Sequence, residues 1–346
     1  MTTRLVRLVF IVALASYALS VTSPSQASQL TIEGCIPFHQ ASTEDVTALD
    51  WGQNGLIAVG YSSGKLNIVD SDGTRLNTFT TPSYISAVKW ENTSSHPLLA
   101  VAVSEGNIWI VDIMGTLPAF SFRDTNVAGD VSDITWHPTT RQLAVALQLG
   151  VSAVLNPVDI WDIDTQRMTV LFRDYEIETS VAWHPRDPDV IAVGFIDGRA
   201  ELWQLSNKTM LYRVKPTIPD DIVHTLAWSP DGTQLAIGYD FSLRVLSYPT
   251  FQDTLSYTVS EVIDEIAWYR DNHRIAILVS QGIEVIDASN GSQLYSETIP
   301  GFMRGVAWSP DGKHIIYGGD RTGFRGEFRI FDAPPLSATA TPSYAP

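Results

Sequence analysis

Tryptophan recurs along this chain at a nearly constant interval, and that interval restricts the fold more than any other feature. Short segments rich in Val, Ile and Leu end in Trp51, Trp90, Trp136, Trp183, Trp228, Trp268 and Trp308, with spacings of 39, 46, 47, 45, 40 and 40 residues. A repeat of about 43 residues is the length of a unit of four short strands. One such unit cannot bury both of its faces, so the copies must stack on one another to make a core.

The stretches between the anchors support this. After each Trp comes a turn and a second apolar run, such as Leu56 to Gly60, Val190 to Gly194 or Leu235 to Gly238, the continuous pattern of a strand covered on both faces. A third run ends mostly in an aromatic or aliphatic residue followed by Asp, as in Ile68-Val69-Asp70, Ile160-Trp161-Asp162 and Ile330-Phe331-Asp332. Turn sequences such as Asp70-Ser71-Asp72-Gly73 then lead to a fourth strand. No stretch of 12 or more residues shows the i, i+3, i+4 spacing of an amphipathic helix. The expected fold is all-β, a seven-bladed β-propeller of four-stranded antiparallel blades.

These units resemble WD repeats. Trp161-Asp162 is the signature dipeptide, softened to Val69-Asp70, Val111-Asp112, Ile286-Asp287 and Phe331-Asp332. Trp228-Ser229-Pro230-Asp231-Gly232 and Trp308-Ser309-Pro310-Asp311-Gly312 are similar to the turn that follows the innermost strand in that family, with Trp136-His137-Pro138 and Trp183-His184-Pro185 as variants. The resemblance covers about residues 30 to 333 and implies the propeller fold. The Gly-His pair that many members carry before the innermost strand is missing in every blade, which resembles bacterial exported propellers more than eukaryotic ones. The family hosts many roles on one architecture.

The ends of the repeat region suggest how the ring closes. The seventh unit runs into Ala333-Pro334-Pro335 without a fourth strand of its own, and the spacing predicts that Leu30 to Phe38 supplies it, removing the open edge. Upstream, Arg4 and Arg7 precede the apolar run Leu8 to Val21, and Ser25-Gln26-Ala27 offers small residues at a cleavage site. Residues 1–27 are expected to be a signal peptide, residues 28–333 the propeller and residues 334–346 a disordered Pro, Ala and Thr tail. The apolar run is short for a spanning helix, so an exported protein, periplasmic, cell-surface or secreted, with no transmembrane span after processing is expected. Cys35 is the single cysteine, which excludes an intramolecular disulfide.

Twenty-two Lys and Arg against 38 Asp and Glu give a net charge of −16, which argues against nucleic acid as the partner. The topology puts two sets of loops on one face. Glu44, Asp45, Asp130, Glu176, Glu178, Asp220, Asp221, Glu261 and Asp264 belong to the loops before the innermost strands. Glu105, Asp197, Asp240 and Asp320 belong to those between second and third strands. Such a ring would focus a negative potential on a basic protein or other cation. Two longer connections offer further candidate contacts at Leu149, Val151, Val154, Phe324 and Arg325. No His pair, catalytic Ser motif or phosphate-binding Gly loop is present, so no metal, cofactor or catalytic residue is assigned. The sequence therefore reads as a non-catalytic, exported, monomeric scaffold that binds a protein through an acidic loop face. The alternative reading is an extracytoplasmic propeller enzyme, a hydrolase or lyase, with a cation or carboxylate site at the central channel.

Overall fold

The computed structural model describes residues 38–41, 44–92, 96–113, 118–123, 129–149, 156–174, 176–299, 301–321 and 324–336. These form seven four-stranded antiparallel sheets, and no helix occurs among the described residues. The innermost strands of blades one to seven are Val46–Trp51, Ile85–Trp90, Gly129–Trp136, Glu178–Trp183, Thr225–Trp228, Ile263–Trp268 and Phe302–Trp308. Each packs against the innermost strands of the two flanking blades, and the seventh packs against the first, which closes the ring.

Closure uses an N-terminal strand, as expected, but a later one than the spacing suggested. Phe38–Ala41 pairs with Phe324–Asp332 and completes blade seven. Of the expected segment only Phe38 takes part among the described residues, since residues 30–37 lie outside them. The physical reason is register: the fourth strand Gln293–Thr298 ends ten residues before Trp308, and Phe38–Ala41 ends ten before Trp51. The expected signal peptide and most of the expected tail also lie outside the described residues.

The core lies between blades. Leu66 and Ile68 of blade one pack with Ile85, Val88, Trp90, Leu99 and Val101 of blade two in one buried cluster, and equivalent clusters follow around the ring. Gly60 lies in the second strand Ile57–Tyr61 where a Cβ would stand 2.6 Å from Ile85 Cγ2 of the next blade, so a side chain there would force Ile85 to move.

In four of the seven blades the anchoring Trp also bonds across to the preceding blade, whereas Trp183 Nε1 donates to Pro188 O of its own turn and Trp51 and Trp90 have no such bond. An innermost strand is the edge of its own sheet, and its outward carbonyls need donors from elsewhere. The indole Nε1–H of Trp136 donates to Lys89 O at 2.8 Å, that of Trp228 to Ala182 O at 3.1 Å, that of Trp268 to Ala227 O at 3.0 Å and that of Trp308 to Ala267 O at 2.9 Å. In each case the acceptor is the residue before the Trp of the preceding blade. These four indoles thus stitch edge to edge where no ladder can form.

The turns after the Trp residues, on what we term the lower face, are closed by their own side chains. Ser229 Oγ donates to Asp231 at 2.7 Å and accepts from Gln234 N at 2.9 Å, and Ser309 repeats this with Asp311 and His314 N. In blades three and four a His does the same work. His184 Nδ1 accepts from the backbone of Arg186 and Asp187 at 3.1 and 2.7 Å, which leaves the proton on Nε2 to donate to Gly232 O at 2.9 Å.

Candidate functional site

The seven innermost strands enclose the central channel, and a repeated backbone irregularity decides what faces it. In six blades the pairing of first and second strands slips by one residue, between Val46/Ala48, Ile85/Ala87, Val131/Asp133, Glu178/Ser180, Ile263/Glu265 and Met303/Gly305. A β-bulge of this kind leaves one residue unpaired and re-aims its side chain. The extra residues are Thr47, Ser86, Ser132, Thr179, Asp264 and Arg304, all polar, and His224 stands at the matching place in blade five. All seven line a cavity of about 130 Å³ at the upper end of the channel.

Below this ring lies a cross-channel ion pair. Lys89 Nζ of blade two lies 3.3 Å from Glu265 Oε1 of blade six, on strands that are not neighbours in the ring. Lys89, Asp133, Thr225 and Glu265 line both the upper cavity and a second one of about 270 Å³ below it, so the pair divides the channel into two chambers. Burial alone would lower the Lys89 pKa, but Glu265, Asp50 and Asp133 outweigh it and hold the ammonium well above its ordinary value. Burial raises the pKa of Asp50, Asp133 and Glu265, with Lys89 opposing.

These carboxylates also satisfy edge donors of the next blade. Asp50 accepts from Trp90 N at 2.7 Å, Asp133 from Ser180 Oγ and Val181 N at 2.8 and 3.0 Å, and Glu265 from Val306 N at 2.8 Å. Sequence reasoning missed the whole channel set. The signal was present, as polar residues one, three and four places before a Trp inside otherwise apolar strands.

Most of the predicted acids lie at the upper end of the ring, where the structure pairs several of them, but Asp130, Glu178, Asp264 and Asp320 sit on strands and not in loops, because the strand pairing runs further than the spacing suggested. Asp45 and Asp320 approach each other, and burial followed by the charge of Asp320 raises the Asp45 pKa. Asp221 is buried and raised in the same way beside Asp240, whose Oδ1 lies 2.6 Å from His224 Nε2. Asp130 Oδ1 accepts from Glu105 N at 2.9 Å, and Glu44 lies 3.8 Å from Lys65. Asp197 pairs with Arg199, Asp264 lies 3.8 Å from Arg304 in the channel, Glu176 and Asp220 are exposed on the rim, and Glu261 is half-buried.

Glu178 departs from the pattern. The position five before the Trp is Val46, Ile85, Val131, Val223, Ile263 or Met303 in the other blades and is Glu in blade four. Its side chain is fully buried, and neither carboxylate oxygen has a hydrogen-bond partner. Burial, with Asp174 and Glu201 adding and Arg199 opposing, pushes its pKa up to about 8.

The candidate contacts in longer connections are corrected in kind. Leu149 lies on the second strand of blade three, paired with Gly129, and Phe324 and Arg325 lie on the third strand of blade seven, where Phe324 pairs with Arg321. Extended pairing carries these hairpins beyond the lengths seen in the other blades, so the residues are strand ends and not loops. Val151 and Val154 lie outside the described residues. The upper face carries a feature not anticipated from sequence: Tyr84, Ile196, Ile218, Phe241 and Phe302 are exposed there, Ile218 at 55% and Phe302 at 53%.

Comparison with known proteins follows this geometry. Residues 215–247, the first three strands of blade five and the connection leading into them, match the WD domain, G-beta repeat family. Coronin-7 of Mus musculus is 32% identical over 148 residues, 40% of this chain, and an uncharacterized WD repeat-containing protein of Schizosaccharomyces pombe is 29% identical over 95 residues, 28% of this chain. The chain spans only 15% and 16% of the lengths of these relatives. The crystal structure of the Myceliophteria thermophila Cps50 (Swd1) β-propeller domain superposes with a TM-score of 0.73 at 16% identity, over 86% of this chain and all of that one. The likeness is one of fold, a seven-bladed propeller in which one blade matches the WD-repeat model. No helix among the described residues is long and apolar enough to cross a membrane.

Proposed function

We propose that this propeller is a non-catalytic, exported scaffold that binds a basic protein on its upper face. The observation that carries the reading is the meeting there of two features: paired, partly desolvated carboxylates (Asp45 with Asp320, Asp221 with Asp240) and exposed apolar side chains (Ile196, Ile218, Phe241). Carboxylates attract and orient a cationic partner, and exposed aliphatic and aromatic residues supply the area that makes a contact last. On the lower face Asp231 and Asp311 are instead bonded to the hydroxyls of their own turns. Export is supported by the basic start and apolar run of residues 1–27, and a monomer is the simplest state for a ring in which the seventh blade packs against the first.

The test is equilibrium binding of an oligolysine and an oligoglutamate to the full chain by isothermal titration at two ionic strengths. The proposal expects oligolysine to bind, with an affinity that falls at higher salt, and expects reversal of Asp130, Glu176 and Asp220 to Lys to remove it. Reversal of Asp72 and Asp164, exposed acids of the lower face, should leave it intact. Equal loss from both sets would sink the assignment to the upper face.

A further inference from the structure

We propose that the upper chamber of the channel binds a primary ammonium group, carried by a small free amine or by a lysine side chain. The inference deepens the reading above by naming what the centre of that face recognises.

Unused acceptors inside the chamber are the starting point. Ser86 Oγ, Ser132 Oγ and Thr179 Oγ1, contributed by three successive blades, and Asp264 Oδ2 are all shut off from solvent and have no hydrogen-bond partner. All four residues line the 130 Å³ cavity. Buried polar atoms without partners cost free energy, and a cluster of them around one cavity marks a place where a ligand recovers that cost. Asp264 Oδ1 already faces Arg304 at 3.8 Å, which leaves Oδ2 for a second cation; burial raises the Asp264 pKa, with Arg304, Ser280 and His224 opposing.

The chemistry of the lining selects among ligands. Carboxylates of the channel, Asp50, Asp133, Asp264 and Glu265, outnumber its cations Lys89 and Arg304, so the potential in the chamber disfavours anions. Among the described residues no group of three His, Cys, Asp or Glu is placed to hold a metal ion. The described lining contains no Phe, Tyr or Trp, which removes the aromatic faces that a quaternary ammonium prefers. A primary ammonium has three donors and no acceptor, and three hydroxyls with one carboxylate oxygen are acceptors matched to it. A volume of about 130 Å³ takes the ammonium and a few methylenes.

Thermal shift and isothermal titration on the full chain supply the test, with n-propylammonium, tetramethylammonium and inorganic phosphate at matched ionic strength. A saturable rise in Tm of two degrees or more with n-propylammonium is expected, absent with the other two, and weakened about tenfold in Asp264→Asn and measurably in Ser132→Ala. A response to tetramethylammonium equal to that of n-propylammonium, a larger response to phosphate, or no saturable response to any probe would overturn the proposal. Nα-acetyl-lysine amide separates the two sources: tenfold tighter binding than n-propylammonium assigns the site to a partner's lysine, and weaker binding assigns it to a free amine. Oligolysine binding that is lost on reversing the rim acids while n-propylammonium fails would sink this site and leave the protein-binding reading standing. The opposite pair of results would do the reverse.

Discussion

The two faces of the ring use the same residue type in opposite ways. On the lower face Asp162, Asp189, Asp231, Asp287 and Asp311 have pKa values below the ordinary carboxylate range: burial is the largest single influence on Asp189, Asp231 and Asp287 and raises them, but bonds from nearby hydroxyls and backbone N–H groups together outweigh it, and in Asp162 and Asp311 those bonds lead outright. On the upper face and in the channel Asp45, Asp50, Asp133, Glu178, Asp221, Asp264 and Glu265 are all raised, with burial the largest cause in each. The lower acids are part of the fold's own hydrogen bonding. The upper ones are held at a cost, and groups held at a cost cluster where a molecule acts on something else.

The comparison can be broken in several places. The largest expected effect is Trp228→Ala, which removes a buried indole and its bond to Ala182 O, and should cost about 3–5 kcal/mol in urea unfolding while leaving the upper-face loops chemically unchanged. Next is Glu178→Gln. The folded pKa is raised from an ordinary 4.5 to about 8, so the native state holds this proton more tightly than the unfolded chain. The stability from the protonated group is full below about 4.5 and is lost as pH rises through about 8. The variant should match the wild type at pH 4 and exceed it by roughly 5 kcal/mol at pH 9. A wild-type profile flat across that window would remove Glu178 from the upper-face pattern.

Asp311→Asn should cost about 1 kcal/mol near neutrality. Its folded pKa is lowered, so the contribution is present above the ordinary 3.8 and disappears as pH falls through the folded value; the variant and wild type should converge in acid. The smallest effect belongs to the rim: Asp130→Lys, Glu176→Lys and Asp220→Lys should each shift stability by less than about 0.5 kcal/mol, because exposed charges contribute little. A loss above 1 kcal/mol at any of them would place that acid with the structural set.

Much of the architecture was legible in the chain. Seven Trp anchors, each followed by a turn and an apolar run, specify seven blades, and the missing fourth strand of blade seven specifies closure from the N-terminus. The closing strand runs on to Ala41, three residues past the expected end at Phe38, and residues 30–37 lie outside the described residues. Topology alone assigns the loops before the first strands and after the second to one side, but it does not show that Asp130, Glu178, Asp264 and Asp320 sit on strands.

The channel was not read from sequence. Lys89 and Glu265 are far apart along the chain and meet only because the ring brings blades two and six across the axis. Ser86, Ser132 and Thr179 look like ordinary strand residues, and only the bulge at the same place in successive blades turns them inward. Glu178 carried a signal that a repeat alignment exposes, a charge where every other blade has an apolar residue.

The central claim is a division of labour between the faces, and the measurement that tests it most directly is a two-way comparison on one protein. Melting temperature and oligolysine affinity are measured for the triple variant Asp130→Lys, Glu176→Lys, Asp220→Lys and for the double variant Asp231→Ala, Asp311→Ala. The account predicts that the first loses binding and keeps its Tm, while the second loses several degrees in Tm and, below its melting range, keeps binding. Binding lost in the lower-face variant and retained in the upper-face one would contradict it.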